Sequence, residues 1–293
     1  MIRTIDREPL FDTVNLIVVL AAAVIAMYPL YFVVIASISS PTAVNTGQVL
    51  LLPRELTLQG YQEVLRHDPI WRGYANSIYY TVVGTVINVS LTIAAGYALS
   101  RKDLPLRRLF TFVFVFTLFF QGGLIPRYLL VRNLGLMNTV WALALPSAVN
   151  VFYLIICRTF FATTIPDELL DSARIDGCGT FRFFFQIVVP LSPAIIAIMT
   201  IYYAVFHWNT FFDGFLFMTN RERYPLQVVL RDLIIQNQSI TLDMDPMAAD
   251  ERQRTADLIK FGAIILASVP VLMLYPFLQK YFVKGVMIGS VKG

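Results

Sequence analysis

Residues 73–100 read GYANSIYYTVVGTVINVSLTIAAGYALS, 28 positions in a row without Asp, Glu, Lys or Arg. A helix needs about 18–20 apolar residues to cross the roughly 30 Å of bilayer hydrocarbon. This stretch exceeds that length. Its apolar residues run on continuously and do not alternate with a period of two, so a barrel strand is a poor reading. Working outward, the same test finds five more charge-free windows: Thr13–Pro53, Leu109–Pro126, Asn133–Cys157, Phe183–Phe212 and Phe261–Gln279. The expected fold is therefore an all-α integral membrane bundle of six spans, with both termini on one side.

The first window is longer than one crossing. Its apolar part runs from Val14 to Ile38, where Ser39-Ser40-Pro41 breaks it. The leader MIRTIDREPLFD carries the acids Asp6, Glu8 and Asp12, and the run after it is too long for a cleavable signal. Residues 1–13 and 284–293 are expected as cytoplasmic tails, and 14–283 as the membrane domain.

Composition agrees. Of the 293 residues, 57% are hydrophobic and 14% charged, against about 45–50% and about 25% in ordinary globular chains. Mean hydropathy is +0.66. Such a chain cannot cover a water-facing surface with polar groups, which excludes a soluble, disordered or disulfide-stapled protein. The net charge of +4 suits loops on a cytoplasmic membrane face and calls for no nucleic acid. Cys157 and Cys178 lack ligand spacing and read as reduced structural residues. His67 and His207 are the only histidines, too few for a His-rich metal site, so no metal is expected.

Orientation follows from the short loops. The connection Arg101–Arg108 (RKDLPLRR) is rich in Arg and Lys, while the opposite connection near Arg132 is poorer, which places Arg101–Arg108 and both termini in the cytoplasm. The outer segments Ser39–Arg72 and Met218–Asp257 are long enough to meet a soluble partner. The inner segment Phe161–Pro190 is too polar for hydrocarbon. Within it, IPDELLDSARIDGCGT (165–180) predicts a short helix. Pro166 suits a first turn, Asp167 and Glu168 complement the positive N-terminal dipole, and Gly177 ends the helix. Such an element at the membrane face can serve a cytosolic partner as a handle.

The pattern Glu168-x-x-Asp171-Ser172-Ala173-x-x-Asp176-Gly177-Cys178, followed by Ile187-x-x-Pro190-x-x-Pro193, resembles the EAA loop of bacterial ABC importer permeases. Asp171 stands where Glu is usual, and Ser172 and Cys178 where Ala is usual, which keeps charge and small size. Trp208-Asn209-x-Phe211-Phe212, Tyr224-Pro225-Leu226-Gln227-x-x-Leu230-Arg231 and the ending Gln279–Gly285 are similar to the carbohydrate-uptake branch, on the side of the second maltose permease. The ending Val286–Gly293 is similar to the subgroup for oligo- and polysaccharides, alginate importers among them.

The resemblance implies a type I importer permease with a coupling helix that docks on an ATPase through Glu168, Asp171, Ser172, Ala173, Asp176 and Gly177. It implies a second, related permease, two ATP-binding subunits that carry the ATP and magnesium, and a soluble solute-binding protein. The chain would be a multi-pass protein of the bacterial inner membrane, moving a carbohydrate by alternating access. It would not itself be an enzyme, and no Gly-x-x-x-x-Gly-Lys-Ser/Thr sequence occurs in it.

Polar residues in or near the spans are costly in lipid and should face the bundle interior. Asn88, Gln121, Asn150, Trp208, Asn209 and Asp213 are candidates for a sugar path; helix–helix bonding and interface packing are the alternatives. Arg127, at the outer end of the third span, reads either as a path residue for an anionic polysaccharide or as an interfacial anchor. Rival functions are a permease for peptides, polyamines or ions, an integral-membrane enzyme, and a membrane scaffold. The fifth-span and C-terminal resemblance argues against the first. The missing cluster of catalytic side chains argues against the second, and the specificity of the inner loop against the third.

Overall fold

A computed structural model describes residues 9–239 and 259–273. The leader up to residue 8, the polar tract 240–258, the end of the sixth window beyond 273 and the tail 284–293 lie outside the described residues. Helix is the only regular structure among the described residues. In chain order the helices are α1 Pro9–Ser37, α2 Pro41–Asn45, α3 Gln59–Arg66, α4 Asp68–Ser100, α5 Arg107–Phe119, α6 Leu124–Asn133 and α7 Val140–Ala144. They continue with α8 Val151–Thr164, α9 Asp167–Ile175, α10 Thr180–Phe183, α11 Pro193–Trp208, α12 Phe212–Phe217, α13 Leu226–Ser239 and α14 Ile259–Met273. A π-helical turn, Phe184–Val188, joins α10 to the bend before α11.

Each charge-free window holds helix, but the windows are not equally straight. Leu10–Ser37 and Asp68–Ser100 are each long and apolar enough to cross a bilayer unaided. The third window is bent by 114° between α5 and α6, and the fifth by 86° between Thr180–Val188 and α11. The fourth is interrupted between α7 and α8, and α14 is a shorter apolar helix. The breaks fall where the sequence weakens a helix. Gln121-Gly122-Gly123 separates α5 from α6, with Gly123 at φ +83°. Pro146 and Pro190 lie in the other two breaks.

Contacts divide the chain into two compact units, one centred on 69–229 and the other drawing on 9–68 and part of 230–269. In the smaller unit, Ile35, Ala43 and Val49 form a core, and Tyr61 donates from its hydroxyl to Ser37 Oγ at 2.7 Å. None of the most apolar stretch of α1 is buried within the chain. In the larger unit, α4 is the central post. Ile93 and Tyr97 of α4 pack with Cys157 and Phe161 of α8, Leu170 and Ala173 of α9, Phe183 of α10, and Ile195, Met199 and Tyr203 of α11. A second core collects Tyr80, Val131, Val140, Ala142, Leu143, Phe217 and Met218. Gly84 lets α11 approach closely. A Cβ there would lie 2.5 Å from the His207 ring, a distance that real Cβ atoms do not tolerate, so overpacking would force the helices apart.

Candidate functional site

Two places in the larger unit gather the charged and polar residues singled out in the sequence. The first is α9. Pro166 sits at its N-cap with extended backbone, Asp167 and Glu168 occupy the first turn, and Arg174 the last. The C-terminus closes as a Schellman motif. Gly177 takes φ +72°, its N–H donates to Arg174 O at 3.0 Å, and the Cys178 N–H donates to Ala173 O at 2.9 Å.

The helix has two faces. Leu170 and Ala173 are buried in the core with Tyr97 and Phe161. Glu168, Asp171, Ser172, Asp176 and Gly177 are exposed, and Ile175 is 87% exposed. Five of the six residues expected to meet a partner therefore lie on one open surface. Ala173 faces inward and anchors the helix. Ser172 Oγ donates back to Glu168 O at 2.9 Å.

The loop after α4 holds both ends of α9 by charge, a feature that local pattern does not show. Arg101 lies 3.1 Å and Lys102 3.0 Å from the Asp167 carboxylate at the helix start. Asp103 lies 2.5 Å from Arg174 at its end, and 3.6 Å from Arg101. The hydrogen bond from Arg174 holds the Asp103 carboxyl below the usual carboxylate range, and the bond from Lys102 does the same for Asp167. The bond to Asp103 in turn raises Arg174. A cavity of about 480 Å³ opens beside this clasp, lined by Ala94, Tyr97, Leu104, Phe181, Phe184 and Phe185 among others.

The second place lies where α6, α12 and the break before α8 meet. Arg127 on α6 donates from Nη2 to Asp213 Oδ2 on α12 at 2.7 Å, and more distantly to Ser147 Oγ at 3.5 Å. Its guanidinium also lies 5.4 Å from the centre of the Phe217 ring. Ser147 accepts at its carbonyl from Asn88 Nδ2 at 2.9 Å. A polar seam thus links Asn88, Ser147, Arg127 and Asp213 across α4, the break before α8, α6 and α12.

The other expected path residues lie elsewhere. Gln121 is exposed in the break between α5 and α6. Asn150 caps α8, accepting at Oδ1 from the Phe152 and Tyr153 N–H groups. Asn209 is exposed at the end of α11, donating from Nδ2 to Val205 O at 2.9 Å. Trp208 is buried, its ring 5.9 Å from that of Tyr74. Asn88 is fully buried and bonds α4 to the Ser147 carbonyl in the break before α8.

The segment 218–226 is pinned to α4 by residues that the sequence did not flag. Asn76 Nδ2 donates to Glu222 O and Tyr224 O at 2.8 and 3.1 Å, the Tyr80 hydroxyl donates to Arg223 O at 2.9 Å, and the Leu226 N–H donates to Ser77 Oγ at 2.8 Å. Asn138, at φ +59°, accepts from the Thr219 and Asn220 N–H groups. No local sequence signal marks these contacts, because they join residues 76–80 and 138 to a segment some 80 to 150 positions further along the chain.

Known proteins match this chain over nearly its whole length. The chain is 39% identical over 287 residues to the polygalacturonan/rhamnogalacturonan transport system permease protein YtcP of Bacillus subtilis, covering 98% of this chain and 100% of that one. It is 37% identical to the protein LplC of the same organism, covering 97% and 95%. Among solved structures it matches a chain of a bacterial ABC transporter involved in the import of the acidic polysaccharide alginate, with a TM-score of 0.83 and 31% identity over 96% of this chain and 99% of that one. A scan against protein-family models gives no match. The chain belongs to the permease subunits of ABC sugar transporters. It is a carbohydrate importer permease and an integral membrane protein.

Proposed function

We propose that this chain forms one half of the path for an acidic oligosaccharide through a bacterial inner membrane, and that α9 is the coupling helix that receives the stroke of an ATPase. The carrying observation is the two-sided character of α9. Its apolar side is locked into the core through Leu170 and Ala173, and its acidic side is open. Both ends are fixed by charge to the loop after α4. A helix held this way passes force into α4, α8 and α11 without bending on its own.

Six spans are the reading that joins the two long helices, the two bent pairs, the interrupted fourth window and α14. With Arg101–Arg108 in the cytoplasm, α9 and both termini are there as well. The partners are a second, related permease, two ATP-binding subunits, which bind ATP and magnesium, and a solute-binding protein on the outer side. Closure of the ATPase dimer drives the bundle between inward- and outward-facing states, because the partners bind the two states with different affinity. An acidic sugar is favoured because the 39% identical relative is named for polygalacturonan and the solved transporter imports alginate, both polymers of uronic acids. Gln121, Asn150, Asn209 and Asp213 are the expected path residues that this conformation leaves at least partly open; Asn88 and Trp208 support them from behind.

The test is affinity purification of the tagged chain from its own membranes. An ATP-binding subunit should come with it in the wild type and be lost or loosened in Asp171→Lys. Recovery of the wild-type chain free of any ATP-binding protein would refute the reading.

A further inference from the structure

The Arg127–Asp213 pair is built in an unusual way. A guanidinium offers five N–H donors in a planar fork that matches a carboxylate two-to-two. Here a single nitrogen, Nη2, does all the bonding, to one oxygen of Asp213 and, weakly, to Ser147. Among the described residues, Nε and Nη1 carry no hydrogen bond. The side chain of Arg127 is 33% exposed while that of Asp213 is 14% exposed. The carboxylate is thus set back and the cation stands forward. The Phe217 ring, 5.4 Å from the guanidinium carbon, favours a cation at its face. A pair meant only to clasp two helices would gain most from the two-to-two geometry.

We propose that Arg127 reads the carboxylate of the passing sugar. Its unused fork takes a uronate carboxylate, and Asp213 is the internal carboxylate that weakens this grip so that the sugar is released. The proposal rests on the acidic-sugar reading above and adds the residue that carries it. A transport path must bind strongly enough to admit its cargo and weakly enough to let it go. Asp213 meets the second need, since it neutralises the cation at rest and competes for it when sugar is present. Asp213 thereby gains a role distinct from direct sugar contact.

The experiment uses the whole complex, with both permeases, the ATPases and the binding protein, in liposomes. The cargoes are trigalacturonate and its fully methyl-esterified, neutral form. The quantity read is the ratio of their uptake rates, which cancels effects of assembly and of docking. Arg127→Gln should lower the acid-to-ester ratio by about tenfold or more, the loss of a charge-assisted contact. Arg127→Lys, which keeps the charge without the fork, should lower it less, and Asp213→Asn should raise it. In the exchanged variant R127D/D213R the pair is rebuilt with the cation in the set-back position. Acid uptake should stay low in the assembled complex.

If Arg127→Gln slows both cargoes equally, or the exchanged variant restores acid uptake, the pair is a structural clamp and the proposal fails. If the wild type carries the acid alone, the exchanged variant decides by the same criterion. A wild type that carries neither cargo would refute the acidic-sugar reading itself, and that failure would be seen before any variant is made.

Discussion

The two charged places of the larger unit solve opposite problems. Around α9, Arg101, Lys102, Asp103, Asp167 and Arg174 form a chain of ion pairs in which most members are well exposed. Between α6 and α12, Arg127 and Asp213 form a single pair on elements packed among apolar helices. Exposed pairs each contribute little, because water screens them and long side chains lose freedom. Several pairs acting together can still fix where a short helix lies. A secluded pair contributes little net stability relative to an apolar replacement, yet removing one partner leaves a charge stranded. The cluster around α9 is therefore suited to tolerate change and hold an orientation. The Arg127–Asp213 pair is suited to respond sharply to a competing charge.

The largest effect is expected at the Arg127–Asp213 pair. Asp213→Ala should lower the stability of the assembled permease by about 1.5–3 kcal/mol, since it strands Arg127, read as earlier loss of folded complex on heating in detergent. An unchanged profile would mean that Arg127 is already fully served by solvent. Next is Gly177→Val. A β-branched side chain at φ +72° should cost about 1–3 kcal/mol of local strain. Hydrogen exchange should then accelerate in α9 and remain unchanged in α4. Equal protection in α9 would show that the Schellman closure is dispensable. A smaller loss of thermal stability is expected for Arg174→Gln, as for other exposed pairs, and it should shrink further in high salt.

The smallest effect concerns pH. Asp103 and Asp167 have folded values held below the ordinary 3.8 by Arg174 and Lys102. Groups depressed in this way contribute stability above the ordinary value and lose it as the pH falls through the lower, folded one. The clasp should therefore be constant from neutrality to mild acid and loosen only below about pH 4. A spin label on Cys178, next to Gly177, should gain mobility only there. Mobility rising between pH 7 and 5 would assign the hold on α9 to other groups.

The same contrast shows what could be seen in the sequence. The charge-free windows locate the helices, because hydrocarbon admits no unpaired charge and the pattern is local. The ends of α9 were legible for the same reason, since Pro166 and Gly177 act on their own backbone. The bends at Gly122-Gly123 and near Pro190 were signalled but not separable from a straight span with a mild kink, because neighbours in a membrane can satisfy freed backbone groups. The pairing of Arg101, Lys102 and Asp103 with α9 could not be read, since nothing local brings residues 101–103 beside 167–174. Asn88 illustrates the converse. Polarity within a span predicted an inward-facing side chain, but whether it meets sugar or a carbonyl depends on the break at Ser147, and the structure gives it the carbonyl.

The central claim is that the open face of α9 receives the ATPase, and Asp171 tests it most directly. Asp171 is exposed on the face opposite Leu170 and Ala173, so Asp171→Lys reverses the charge offered to a partner without touching the core. The measurement is ATP hydrolysis by the purified complex in liposomes, with and without sugar-loaded binding protein, alongside a subunit pull-down. Stimulation by the binding protein should disappear in Asp171→Lys, or the ATPase subunits should dissociate, while the chain remains in the membrane. Full stimulation with full assembly would remove α9 from the coupling mechanism.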